Sequence, residues 1–243
     1  MFNIDFKYME ELDEYNAEVD ELLFTKLYYK YLKFFNPNDK KSLLFKEYIE
    51  KFYTLKQNLN YEEIFMEYNN AFFFRNLLKC IISINYLKNN LSIAYSNIID
   101  LGSGVGTASI AIDELYGNFD FKFKLIDKSK KQISLAKDLN KGRANFTFLN
   151  KDESIEKILA NENNSLILAS YYFCEQNDFN LENIRFSSNS LLVIDYEVTI
   201  NVILEQIPDC EVVRIKFAIK LPNKISLILQ QDELKINALY IKR

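Results

Sequence analysis

One stretch of this chain constrains its fold more than any other: Ser96-Asn97-Ile98-Ile99-Asp100-Leu101-Gly102-Ser103-Gly104-Val105-Gly106-Thr107-Ala108-Ser109-Ile110-Ala111-Ile112. Ile98 to Leu101 is a short apolar run with an acid at position 100. Three of the chain's five glycines then fall at alternate positions. Ala108, Ile110, Ala111, Ile112 and Leu115 follow with helical spacing. Strand, glycine-rich turn and helix form a unit that presents backbone N–H groups and a helix N-terminus to a ligand.

A second acid supports the first. Phe121-Lys122-Phe123-Lys124-Leu125-Ile126-Asp127 alternates and then turns apolar, and its terminal Asp127 lies 21 residues beyond Gly106. In a βαβ unit that position is the carboxyl end of the second strand, where an acid accepts hydrogen bonds from both ribose hydroxyls. The competing reading is that Asp127 caps the next helix, Lys128 to Leu139.

The glycine spacing separates two ligand classes. A dinucleotide fingerprint is G-x-G-x-x-G, whereas this turn reads G-x-G-x-G. With Asp100 ahead of it, the pattern D-x-G-x-G-x-G resembles motif I of the class I S-adenosylmethionine (SAM) dependent methyltransferases. The resemblance covers about residues 95 to 243. It implies an α/β fold: a Rossmann-like, mostly parallel sheet closing in an antiparallel C-terminal hairpin, with the last strand inserted between the fifth and sixth. It implies SAM as cofactor and S-adenosylhomocysteine (SAH) as product. Gly102, Ser103, Gly104, Gly106 and Thr107 would lie against the methionine part, and Asp100 would face its ammonium directly or through water. Asp127 with Lys128 would hold the sugar.

Downstream, Asn145 to Leu149 reads as a third strand. By the resemblance the residue after it meets the adenine amino group, and Asp152 is the candidate, with Asn150 second. Asp152 equally suits a cap for a helix over Glu153 to Leu159. Ser165 to Phe173 forms a fourth strand and its exit. The cleft of such a sheet lies at the carboxyl ends of the strands, so Ser170, Tyr171 and Tyr172 face SAM or the methyl acceptor. The Asn/Asp-Pro-Pro-Tyr tetrad of relatives that methylate exocyclic amines in DNA, and of some acting on glutamine, is absent here, as is an acid pair for a metal of the catechol type. The chain has no histidine, which leaves Tyr171, Tyr172, Glu175 and Glu197 as candidates for a general base. Ser190 to Glu197 is a fifth, buried strand, and a helix over Ile200 to Gln206 follows. Three β-rich runs complete the chain, Glu211 to Ile219, Ile225 to Leu229 and Ile236 to Ile241, one more than the resemblance requires.

The first ninety-four residues read as helical. Apolar spacing predicts helices over Glu10 to Phe35 and Lys41 to Leu59. Asn60-Tyr61-Glu62-Glu63 fits a capping box for a third, and Ala71 to Leu87 makes a fourth. This segment, 1–94, is expected to pack as a cap on a SAM-binding unit, 95–243, since no Gly, Pro or Ser linker divides them. Tyr61, Tyr68 and Arg75 are the candidates for lining an acceptor pocket from that cap.

Composition narrows the function. A net charge of −4 and a pI near 5.2 weaken a nucleic-acid partner. Cys80, Cys174 and Cys210 are isolated, so no zinc or disulfide framework is expected, and no metal. Arg75 and Lys79 interrupt the apolar run from Phe72 to Leu87, so no membrane span is expected. Met1 to Asp20 is acidic where a secretory leader is basic. Taken with what the resemblance implies, the expectation is a cytoplasmic enzyme transferring a methyl group to a small-molecule or peptide acceptor. Three alternatives are aminocarboxypropyl transfer from SAM, as in nicotianamine-synthase-like proteins, RNA methylation, and a non-catalytic SAM-binding subunit.

Overall fold

The computed structural model describes residues 11–12, 19–51, 60, 62–90, 95–117, 120–176, 179–181, 189–207 and 210–242. In chain order the elements are β1 (Glu11–Leu12), α1 (Glu21–Tyr31), α2 (Lys40–Lys51), α3 (Phe65–Asn90), β2 (Asn97–Leu101), α4 (Thr107–Leu115), β3 (Lys122–Asp127), α5 (Lys130–Leu139), β4 (Phe146–Asn150), α6 (Ile155–Asn161) and β5 (Ser165–Ser170). A 3-10 turn (Phe173–Glu175) follows, then β6 (Ser190–Ile194), α7 (Glu197–Gln206), β7 (Glu211–Lys220), α8 (Asn223–Leu229) and β8 (Glu233–Lys242).

The strands form one sheet in the order β1-β7-β8-β6-β5-β2-β3-β4. All pairings are parallel except those of β8, which runs antiparallel to both β6 and β7. The sheet order reverses between β2 and β5, which opens the crevice in which such sheets bind ligands. Ile98 of β2 packs with α3 and α4 on one face, while Ile99 and Leu101 pack with α6 and α7 on the other. That two-sided burial is why the central strands read as continuous apolar runs.

Several expected elements differ. Glu11 and Leu12 are not helical; they pair parallel with Arg214 and Ile215 of β7 at the sheet edge. α1 starts at Glu21 because the Asp20 carboxylate accepts the Leu23 N–H at 2.8 Å, a side-chain cap. The expected third and fourth helices are one, α3, with no Gly or Pro in its length to break it. Asn60 does not cap it: its side chain accepts the Glu62 N–H at 3.2 Å and donates to Glu63 at 2.8 Å, closing a turn ahead of the helix.

At the other end, Ile225 to Leu229 is helical, not a strand. Ile225 and Leu229, four apart, are buried, while Leu227 between them is 79% exposed. A strand would place all three on one face. Removing this run leaves β7 and β8 as the hairpin, with β8 between β6 and β7. Among the described residues no helix is long and apolar enough to cross a membrane.

The N-terminal helices are tied to the sheet's own helices. Arg143, after α5, pairs with Asp113 at 2.6 Å and Glu114 at 2.8 Å, and Lys30 of α1 meets the same Glu114. α3 packs beside α4 on one face of the sheet, and side chains from its N-terminal half, Tyr68 to Asn76, reach the cleft at the carboxyl ends of the strands.

Candidate functional site

At the ends of β2, β3, β4 and β5 lies a cleft, open at its mouth. Its floor is the turn after β2, where Ser103 N–H donates to the Ile126 carbonyl at 3.0 Å and so joins the tips of β2 and β3. Asp127 reinforces the joint. One carboxylate oxygen accepts the Gly104 N–H at 2.8 Å and the other accepts the Ser129 N–H at 2.7 Å. Burial pushes the Asp127 carboxyl above its ordinary value, and these two N–H bonds oppose the shift. Asp127 does not cap α5; the Ser129 hydroxyl does, accepting Gln132 N–H at 3.2 Å.

The segment ahead of α3 closes the same corner. Glu62 accepts hydrogen bonds from Ser129 and from the Lys131 backbone N–H, which hold its carboxyl below the usual range. Lys131 returns its ammonium to the Glu62 carbonyl. One turn into α3, Asn69 donates to the Gln132 side chain at 3.0 Å, a buried bond between the helix roof and α5.

Two glycine positions explain the turn. At Gly102, with φ +62°, a Cβ would sit 2.6 Å from Cδ2 of Tyr172, so only a bare backbone fits under that ring. At Gly104, with φ +52°, the nearest side-chain atom to a Cβ is Oε1 of Gln132 at 4.0 Å. The space in front of Gly104 is therefore unfilled by protein, a cradle where a ligand approaches main chain directly.

The predicted residues divide. Gly102, Ser103, Gly104, Thr107, Asp127, Lys128, Asp152, Ser170, Tyr171, Tyr172, Glu175 and Tyr68 all line the cleft. Asp100, Gly106 and Arg75 are not in its lining. Asp100 is 1% exposed, and one of its oxygens accepts both the Ser109 N–H (3.2 Å) and hydroxyl (2.7 Å). Burial raises its carboxyl to about 7. It thus braces β2 against α4. Gly106 stands at the N-cap of α4. Arg75 is buried over the Phe72 ring, 4.7 Å from its centroid. Asn150 donates to the carbonyls of Asp127 and Lys128 at 3.0 and 2.8 Å, holding the strand end rather than lining the cleft. Tyr61 lies outside the described residues. Glu197 is in the first turn of α7, paired with Lys216 at 2.8 Å, outside the cleft lining.

The exit of β5 is the chemically unusual end. Tyr171 has φ +56°, a conformation non-glycine residues rarely adopt and one that clusters at functional sites. It is held there by its own N–H to the Ile194 carbonyl at 2.7 Å and by the Cys174 thiol donating to its carbonyl at 3.3 Å. Its phenolic oxygen accepts the Lys79 ammonium at 2.7 Å. Burial first, then the charges of Glu156 and Asp152, push the Tyr172 phenol up to about 12. Tyr172 therefore stays protonated, and its hydroxyl reaches the Glu153 carbonyl at 3.4 Å.

Sequence reasoning missed the roof. Asn69, Phe72, Phe73 and Asn76 line the cleft from α3, with Lys79 one turn further on. Their i, i+3, i+4 spacing is one helix face, and the two asparagines flanking aromatics on that face were the available signal. Asn76 is 7% exposed, and its carboxamide oxygen is buried with no hydrogen-bond partner.

The donor set fits a nucleoside that carries an amino acid end. Asp127 oxygens have lone pairs left for sugar hydroxyls, the cradle at Gly104 admits a close approach, and an orphaned acceptor waits on α3.

A family model described as lysine methyltransferase matches residues 70–183, just under half of the chain, from α3 to beyond the 3-10 turn. The structure of plantazolicin methyltransferase BpumL with SAH is similar at TM-score 0.52 and 14% identity, over 83% of this chain and 99% of that one. BpumL with a pentazolic desmethylPZN analog and SAH gives 0.50 and 15%, over 82% and 99%. A SAM dependent methyltransferase from Aquifex aeolicus gives 0.47 and 19%, over 68% and 90%. At 14–15% identity the likeness to BpumL is one of fold. A search of curated proteins finds no significant match.

Proposed function

We propose that the chain is a class I SAM-dependent methyltransferase whose acceptor is a primary amine carried by a peptide, a lysine side chain first among them. In this reading Asp127 and Lys128 hold the sugar, Asp152 faces the adenine, and the turn Gly102 to Gly104, with Thr107 and Ser170, receives the methionine part. The segment 1–94 acts as the cap, with Tyr68 in its acceptor wall.

The single observation that carries the reading is the pairing of Tyr171 with Lys79 at the exit of β5. An amine acceptor arrives as an ammonium and must lose a proton before its lone pair can attack. That proton leaves to water at the open mouth of the cleft, and the Tyr171 oxygen, fixed by the Lys79 ammonium, accepts a hydrogen bond from the remaining amine N–H and so aims the lone pair. Glu175, in the same wall, favours a cationic acceptor over an anionic one. SAM supplies an electrophilic methyl group on a sulfonium. The amine nitrogen bonds to that carbon as the carbon–sulfur bond breaks, and the electron pair leaves with sulfur. The rest of the protein's part is alignment and exclusion of water by the α3 roof. The lysine methyltransferase model, which spans the same α3-to-turn stretch, supports an amine.

The test is incubation with methyl-labelled SAM and a pool of lysine-containing peptides, read by mass spectrometry. The expected result is one methyl group on a side-chain amine, lost when the pool is acetylated beforehand. Transfer unaffected by acetylation would overturn the amine assignment.

A further inference from the structure

We propose that Asn76 of α3 is a cofactor-recognition residue, its carboxamide oxygen accepting a hydrogen bond from the ammonium of SAM. The inference rests on the reading of the cleft as a SAM site and goes beyond it by assigning a contact to a helix outside the glycine turn.

Two observations meet at Asn76. The first is its orphaned oxygen. Asn76 lines the cleft, is 93% removed from solvent by its 7% exposure, and its oxygen has no partner. Buried polar groups are almost always paired, and an unpaired one marks a place where a partner is missing. A carboxamide oxygen needs an N–H or O–H donor, and an ammonium offers three.

The second is the absence of the expected acid. Asp100, which the motif assigns to the ammonium, is spent on Ser109 and stands outside the cleft lining. Asp127 is taken up by the amides of Gly104 and Ser129 at the sugar side. The position of Asn76 along α3 suits the role. Asn69 sits over Gln132 and α5, about 10 Å away along the helix axis. Cys80, about 6 Å further on, lies with its sulfur 3.7 Å from the Ser170 hydroxyl at the tip of β5. Asn76 is thus placed between the sugar side and the β5 exit, over the glycine turn.

Calorimetry tests this without any methyl acceptor. The probes are SAH and 5′-methylthioadenosine, which shares the nucleoside but lacks the amino acid end. Asn76→Leu keeps the shape and removes the acceptor. It is expected to weaken SAH on the order of tenfold while leaving methylthioadenosine unchanged. Asn76→Asp, which keeps an acceptor and adds charge, is expected to retain SAH binding. Equal loss of both probes in Asn76→Leu, or no loss of either, overturns the assignment. So does loss of SAH alone in Asn76→Asp. If Asn76→Leu does not fold, wild type decides: an SAH analogue with hydrogen in place of the amino group is expected to bind about tenfold more weakly than SAH, and equal binding overturns the assignment. Failure of wild type to bind SAH at all would instead overturn the SAM reading beneath it, which keeps the two failures distinct.

Discussion

The carboxylate of Asp127 accepts the amide hydrogen of Gly104 at 2.8 Å, so the residue proposed to hold the sugar also shapes the turn proposed to receive the methionine. Asp127→Ala removes both functions. SAH affinity, measured by calorimetry, is expected to fall at least about tenfold, or 1.4 kcal/mol. Asp127→Asn keeps an oxygen for the Gly104 amide and is expected to lose less. Equal losses in the two variants would mean that the turn does not depend on this bond.

Asp100 makes stability depend on pH. Its carboxyl stands at about 7 in the fold, raised by burial, against about 3.9 in an unfolded chain. The folded state therefore holds a proton that the unfolded state releases, and stability falls as pH rises from about 4 to about 7. Asp100→Asn keeps an acceptor for Ser109 and abolishes this charge. Its melting temperature is expected to exceed that of wild type at pH 8 and to match it near pH 4. A gap that does not change with pH would contradict the assignment.

Tyr171 and Lys79 separate chemistry from binding. Tyr171→Phe removes the oxygen proposed to align the acceptor amine, and single-turnover methyl transfer to the peptide is expected to slow roughly 10²-fold. SAH affinity should not change. Lys79→Met should slow transfer in the same way, while Lys79→Arg restores part of the rate. A Tyr171→Phe enzyme with an unchanged rate would remove Tyr171 from the mechanism.

Gly102 and Tyr172 are coupled through space. A Cβ at position 102 would lie 2.6 Å from the Tyr172 ring and at positive φ. Gly102→Ala is expected to cost about 1–3 kcal/mol of stability in denaturant melts. Adding Tyr172→Ala to that variant relieves the clash, so the double variant should lose less than the sum of the singles. Strict additivity would contradict the contact.

The parts of the fold legible in the sequence are those with short-range patterns. β2, the glycine turn and α4 occupy contiguous residues, and β3 ends at the acid the spacing predicts. Ile225 to Leu229 misled because a short apolar run suits strand and helix alike; the exposure of Leu227 is a tertiary fact. Asp100 was legible as a strand-end acid but not as Ser109's partner, since strand alternation turns it toward α4 rather than into the cleft. Lys79 and Tyr171 are 92 residues apart, and only the packing of α3 against the sheet brings them together. The orphaned oxygen of Asn76 is likewise a property of the packed helix.

The central claim is that SAM binds across the tips of β2 and β3 with its amino acid end against the bare backbone at Gly104. Calorimetric titration with SAH of wild type and Gly104→Val tests it most directly, because a side chain at that position meets ligand space and no protein side-chain atom closer than 4.0 Å. The account predicts one site per chain in wild type and affinity at least about tenfold lower in the variant. Absence of binding to wild type, or equal affinity in the two proteins, would contradict it.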